Sequence, residues 1–105
     1  LTSHHLIFIL FALISLIMKY RLSAPCRGSN TFDAIPEGEV ELGQDRMVSI
    51  FTALGYEIKV RSDVLVIGKR GDVEVALYRR GKAIIKYVKE KEEAEAIASS
   101  IFRLI

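Results

Sequence analysis

From Asp45 onward the order of apolar and polar positions reads as a short series of elements. Met47, Ile50, Phe51 and Leu54 recur at i, i+3, i+4 and i+7, one stripe of a helix that Asp45 caps and Gly55 stops. Tyr56, Ile58 and Val60 then alternate with Glu57, Lys59 and Arg61, the two-residue period of a half-buried strand. Ser62 and Asp63 turn the chain into a short apolar strand at 64–67. A hairpin turn at 69–72 follows, with Gly71 free to take positive φ. Val73, Val75 and Leu77 alternate with Glu74, Ala76 and Tyr78. After a second turn at 79–82, where Gly81 has the role of Gly71, residues 83–88 supply a fourth strand rich in β-branched side chains. Ala94, Ile97, Ala98, Ile101 and Ile105 line one face of a closing helix, and Glu90, Glu92, Glu93 and Glu95 suit the positive end of its dipole. The expected fold is α+β: helix, four-stranded antiparallel sheet, helix. Each helix has a single apolar stripe, so both are expected on one sheet face.

The first 44 residues carry a different pattern. In 6–18, "LIFILFALISLIM", twelve of thirteen residues are apolar: Leu6, Ile7, Phe8, Ile9, Leu10, Phe11, Leu13, Ile14, Leu16 and Ile17 with Ala12 and Met18. As a helix this run is about 20 Å long against roughly 30 Å of hydrocarbon, so it reaches across a bilayer only with Leu1 to His5 added. Lys19, Arg21 and Arg27 follow the run rather than precede it, which speaks against a cleaved signal peptide and would hold the following domain in the cytoplasm. Two readings stand. Residues 1–18 are an N-terminal hydrophobic helix acting as a membrane anchor, or they are coding sequence ahead of a start near Met18 or Met47, which would leave the protein cytoplasmic. Residues 19–44 hold both prolines with Gly28, Gly38 and Gly43 and are expected as a linker. That leaves 45–105 as a small α+β domain, near the lower size limit for independent stability.

Composition narrows the chemistry. A formal net charge of +2 over 105 residues does not by itself imply a polyanion partner. Its distribution says more: residues 47–89 hold nine Lys or Arg against four Asp or Glu, whereas 90–105 hold two against four. Cys26 is the only cysteine and His4 and His5 the only histidines, which excludes an intramolecular disulfide and gives no spaced ligand pairs for zinc. Asn30 and Gln44 are the only amide side chains, a composition that leans towards a thermophile.

The stretch "GDVEVALYRRGKAIIKY", 71–87, puts three cations into a four-residue turn. Arg79, Arg80 and Lys82, enlarged by Lys69, Arg70 and Lys86, form a candidate patch for phosphate or nucleic acid. The competing reading is a solvated hairpin corner whose charges keep strand ends from pairing. Tyr78 is expected to face outward with Glu74, and Tyr87 to face the core with Ile85. Ser99 and Ser100 lack a histidine within 45–105, so no nucleophile is assigned. Cys26 lacks a base as well.

Two resemblances arise from these segments. "ALYRRGKAIIKYVKEKEEAEAI" resembles the end of one half-repeat of the TATA-box-binding protein fold: strand, Gly-Lys turn, strand, acidic-fronted helix. That family's function requires two repeats and Phe wedges for the minor groove, and no Phe lies between Phe51 and Phe102. The longer stretch 53–97, with its "LGYE" entry, "GDVEV" strand and "GKAIIK" hairpin, is similar to the small C-terminal extension of some prokaryotic ubiquitin-activating-like adenylyltransferases that serve sulfur-carrier proteins. The resemblance implies a non-catalytic accessory module. The family's Gly-rich nucleotide loop and CxxC pairs are missing from this chain.

The function expected from the sequence is therefore a small binding or adaptor module without enzymatic activity or cofactor. Its expected partner is a protein, with the membrane engaged through 6–18. Nucleic-acid binding through the basic turns and a homodimer through a sheet edge are the other partners the pattern allows.

Overall fold

The computed structural model describes residues 18–24 and 30–105. The hydrophobic run 6–17, with His4, His5 and Cys26, lies outside the described residues, and so does the N-terminal helix expected there. Among the described residues no helix is long and apolar enough to cross a membrane.

The architecture is α+β, but the sheet has six antiparallel strands where four were expected. In chain order the elements are β1 (Tyr20–Ser23), β2 (Thr31–Pro36), α1 (Gln44–Ala53), β3 (Glu57–Arg61), β4 (Leu65–Arg70), β5 (Val73–Tyr78), β6 (Ala83–Lys86) and α2 (Lys91–Phe102). Across the sheet the order is β1-β2-β6-β5-β4-β3. The two additional strands come from 19–44, the stretch expected to be a linker. Tyr20 and Leu22 alternate with Arg21 and Ser23, and Phe32 and Ala34 with Asp33 and Ile35, which is strand periodicity. Each run is too short to stand out from the Pro- and Gly-containing sequence around it. β2 pairs with β6, Phe32 opposite Ile85 and Ala34 opposite Ala83, so the strand from the N-terminal part covers what would have been an open edge.

Both helices pack on one face. Val66, Val75, Leu77, Ala83, Ile85 and Ala34 point into that face and are buried with Met47, Ile50 and Phe51 of α1 and Ala94, Ile97, Ala98, Ile101 and Phe102 of α2. Helix α1 lies against β3 and β4, and α2 against β1, β2 and β6. Gly68 lets α1 approach closely: a Cβ there would lie 2.9 Å from Phe51 Cδ1 and 3.1 Å from Tyr56 Cβ. The turns follow from glycine conformations. Gly71 at φ +61° opens the two-residue β4–β5 hairpin, and Gly81 at φ +94° closes the three-residue loop of β5–β6. Gly55, at φ +80°, follows the end of α1. The α1 N-cap is Gly43 rather than the expected Asp45, which lies inside the first turn.

Two local departures matter for the surface. A bulge between Ile58 and Val60 shifts the β3 register, so Val60 pairs with Ile67 and is 46% exposed, while Arg61 pairs with buried Val66 and reaches Asp45 of α1 at 4.0 Å. Tyr87, expected in the core beside Ile85, takes φ +64° and is 61% exposed; Val88 fills the buried position instead.

Candidate functional site

The six basic residues singled out in the sequence do not converge. Arg79 and Arg80 at the β5–β6 turn both reach Glu41, at 3.7 and 3.6 Å, and Lys82 reaches Asp33 at 3.7 Å. The turn is held against the 36–42 segment by more than charge. Leu42 N–H donates to the Arg79 carbonyl at 2.7 Å, and Gly81 sits so close to Val40 that a Cβ would lie 2.9 Å from Val40 Cβ. The shallow cleft beside the turn is lined by Val40, Glu39 and Glu41 as well as Arg80 and Lys82, so acids and bases share it. Glu41 therefore competes with an incoming anion for the two guanidinium groups.

Arg70 is used within the fold. Its guanidinium lies 4.5 Å from the centre of the Tyr56 ring and donates to the Leu54 carbonyl at 2.8 Å, tying the β4 end to the C-terminus of α1. Tyr56 itself is buried against Phe51, and its hydroxyl has no hydrogen-bond partner among the described residues. Burial holds the phenol above its ordinary pKa, with the positive charge of Arg70 acting in the opposite sense. Ser99 shares a 2.8 Å hydrogen bond with the Tyr20 hydroxyl, and Ser100 donates to the Ile97 carbonyl; both hydroxyls serve packing. Among the described residues no group of His, Cys, Asp or Glu is arranged to hold a metal ion.

Lys69 and Lys86 lie elsewhere, on the sheet face that the helices leave uncovered. Cross-strand registers define three rows on it. The middle row is Ile84, Ala76, Ile67 and Val60, on β6, β5, β4 and β3 in turn. Towards the ends of the strands that meet at Gly71, the next row is Lys86, Glu74, Lys69 and Glu57. On the other side, Tyr78 pairs with Leu65, and the Tyr78 N–H donates to the Lys82 carbonyl. The apolar members of these rows stand outside the core and its packed periphery. Ile67, Ala76 and Ile84 are half-buried by their own neighbours, and Val60 and nearby Val64 are exposed.

Outward placement of Glu74 and Tyr78 was legible as alternation along the strands. The apolar row was not: 64–67 and 83–85 are apolar on both faces, and continuous runs do not say which side is covered. No family model matches the chain, and neither a curated protein nor a solved structure matches it.

Proposed function

We propose that the chain is a non-catalytic binding module that takes a protein partner on the uncovered face of its sheet. One observation carries this reading: four adjacent strands present an apolar row, Ile84, Ala76, Ile67 and Val60, that belongs to no core and is bordered by charges. A 105-residue chain gains stability by burying such side chains, and an apolar centre with a polar rim is the usual anatomy of a protein-binding surface. Residues 6–18 serve on this reading as a membrane tether that holds the module at the cytoplasmic surface. Met18, the last of them, packs against the core. An accessory role beside a sulfur-carrier adenylyltransferase is one form this function takes. Nucleic-acid binding is disfavoured because Glu41 and Asp33 already face the cations of the basic turn.

The test compares the wild-type chain with Ile67→Lys plus Ile84→Lys as bait in extracts of the native cells. The expected result is a defined protein held by the wild type and lost from the variant, whose melting temperature is unchanged. Identical retention by both, or salt-steep nucleic-acid binding that Arg79→Ala plus Arg80→Ala removes, overturns the proposal.

A further inference from the structure

We infer that the protein which covers this face is a second copy of the chain, packed face to face about a two-fold axis that runs along the strands between β4 and β5. The inference rests on the binding-module reading and names its partner. Its warrant is the order of charges in one row. From β6 to β3 the row Lys86, Glu74, Lys69, Glu57 reads plus, minus, plus, minus. A two-fold axis parallel to the strands keeps every row opposite itself and reverses the strand order within it. Reversal of this row exchanges its signs, so Glu74 of one copy stands over Lys69 of the other and Lys86 stands over Glu57. The same operation sets Ile67 over Ala76, Ile84 over Val60 and Tyr78 over Leu65. Each of these apolar positions meets an apolar one.

Other arrangements fit less well. An axis across the strands through the middle row would set Glu74 over Tyr78, Lys69 over Leu65 and Lys86 over Lys82, stranding charges on apolar surface and facing like charges. Pairing through a sheet edge, the dimer the sequence pattern allows, meets a bulged β3 with Lys59 at the bulge on one side and a four-residue β1 on the other. Packed sheets cross at about 30°, which moves a row one residue pair from the centre sideways by about 3–4 Å, within the reach of Lys and Glu side chains. Glu57 already meets Lys59 of its own strand at 3.2 Å, so the outer pairs contribute less and the central four charges set the fit. Four strands of this length cover roughly 400 Å² per copy in plan, at the low end for a specific interface, so the dimer is weak and transient.

Symmetry supplies a decisive test. Lys69→Glu makes all four central charges negative, and Glu74→Lys makes all four positive. Either change alone sets like charges against each other, and the two together restore the alternation with the signs exchanged. The full chain is labelled at Cys26 in separate donor and acceptor preparations, held in detergent micelles at less than one chain per micelle, and read by energy transfer between copies. The expected result is transfer for the wild type, at least tenfold weaker association for each single variant, and recovery both in the double variant and in an equimolar mixture of the two singles. Recovery on mixing separates docking from folding, because mixing refolds nothing. Wild-type transfer that neither single variant alters overturns the inference, as does absence of transfer up to several hundred micromolar. In the latter case, a partner protein still lost from Ile67→Lys plus Ile84→Lys would leave the binding-module reading standing with a different occupant.

Discussion

Tyr20 stacks on Phe102 with ring centroids 4.8 Å apart and planes 12° from parallel, while its hydroxyl shares a hydrogen bond with Ser99. The contact joins β1, from the stretch that reads as a linker, to the last turn of α2, 82 residues away in the chain. Tyr20→Ala removes the stacked ring, the hydrogen bond and part of the seal over α2. The expected cost is about 2–3 kcal/mol, less than for a fully buried aromatic because Tyr20 keeps some exposure. Tyr20→Phe keeps the ring and costs about 1 kcal/mol. Urea melts of the two variants check both values, and equal costs would mean that the ring contributes nothing.

The same contact bears on where a folding unit starts. A chain beginning at Met47 lacks β1 and β2, leaves β6 as an open edge and uncovers the faces of Ala83, Ile85 and Phe102. Such a chain is expected to be aggregation-prone and without a cooperative thermal transition, whereas one beginning at Met18 melts cooperatively. Calorimetry of the two lengths decides it. A cooperative transition in the shorter chain would show that β1 and β2 are dispensable additions.

Gly68 is expected to be intolerant of a single methyl group. Its φ is ordinary, and the constraint is space: Phe51 and Tyr56 occupy the volume a Cβ needs. Gly68→Ala is expected to cost about 1–3 kcal/mol, with α1 displaced from β4. Phe51→Leu in the same chain makes room, so the double variant should lose less than the sum of the two single losses. Strict additivity in denaturant melts would rule out the contact as the cause.

Legibility in the sequence divides along physical lines. The helix stripes, the positive-φ glycines at 55, 71 and 81, and the four strands after Gly55 were readable, because each rests on a local signal repeated over several residues. β1 and β2 were not, since four- and six-residue strands offer only two or three inward positions each, and their pairing with β6 is a long-range fact. The bulge at Ile58 and Val60 reversed the facing of Val60 and Arg61, and one extra residue leaves no mark in composition. The basic turn was visible as a charge cluster, but its partial pairing depends on Glu41 and Asp33, about 40 and 50 positions away in the chain.

Glu41 is accordingly expected to govern how the basic turn meets anions. Glu41→Ala frees Arg79 and Arg80 together, and retention on a polyanion column at low salt should increase. The increase should fade as salt is raised, because the guanidinium groups are solvent-exposed. Stability should change by less than about 1 kcal/mol, as for other exposed ion pairs. Retention unchanged from the wild type would mean that the turn is no anion site even when uncovered.

Tyr56 makes the fold sensitive to alkali. Its phenol is held above the ordinary value of 10.0 in the folded chain by burial, against the pull of Arg70, and returns to that value on unfolding. Between those two pKa values the folded state keeps a proton that the unfolded state has released, so stability is intact below pH 10 and falls as pH rises through the folded value. Tyr56→Phe deletes the titrating group and also the buried hydroxyl that lacks a partner, while the ring keeps its contacts with Phe51 and Arg70. The variant is expected to be more stable at neutral pH by about 1 kcal/mol, because an unsatisfied buried hydroxyl costs that much or more. It should also lose less stability than the wild type between pH 10 and 12. Melting curves across that range, with tyrosinate absorbance followed alongside, separate the two effects. A variant that is less stable at pH 7 would show that the hydroxyl is satisfied in solution, and parallel alkaline losses in both chains would assign the sensitivity to another group.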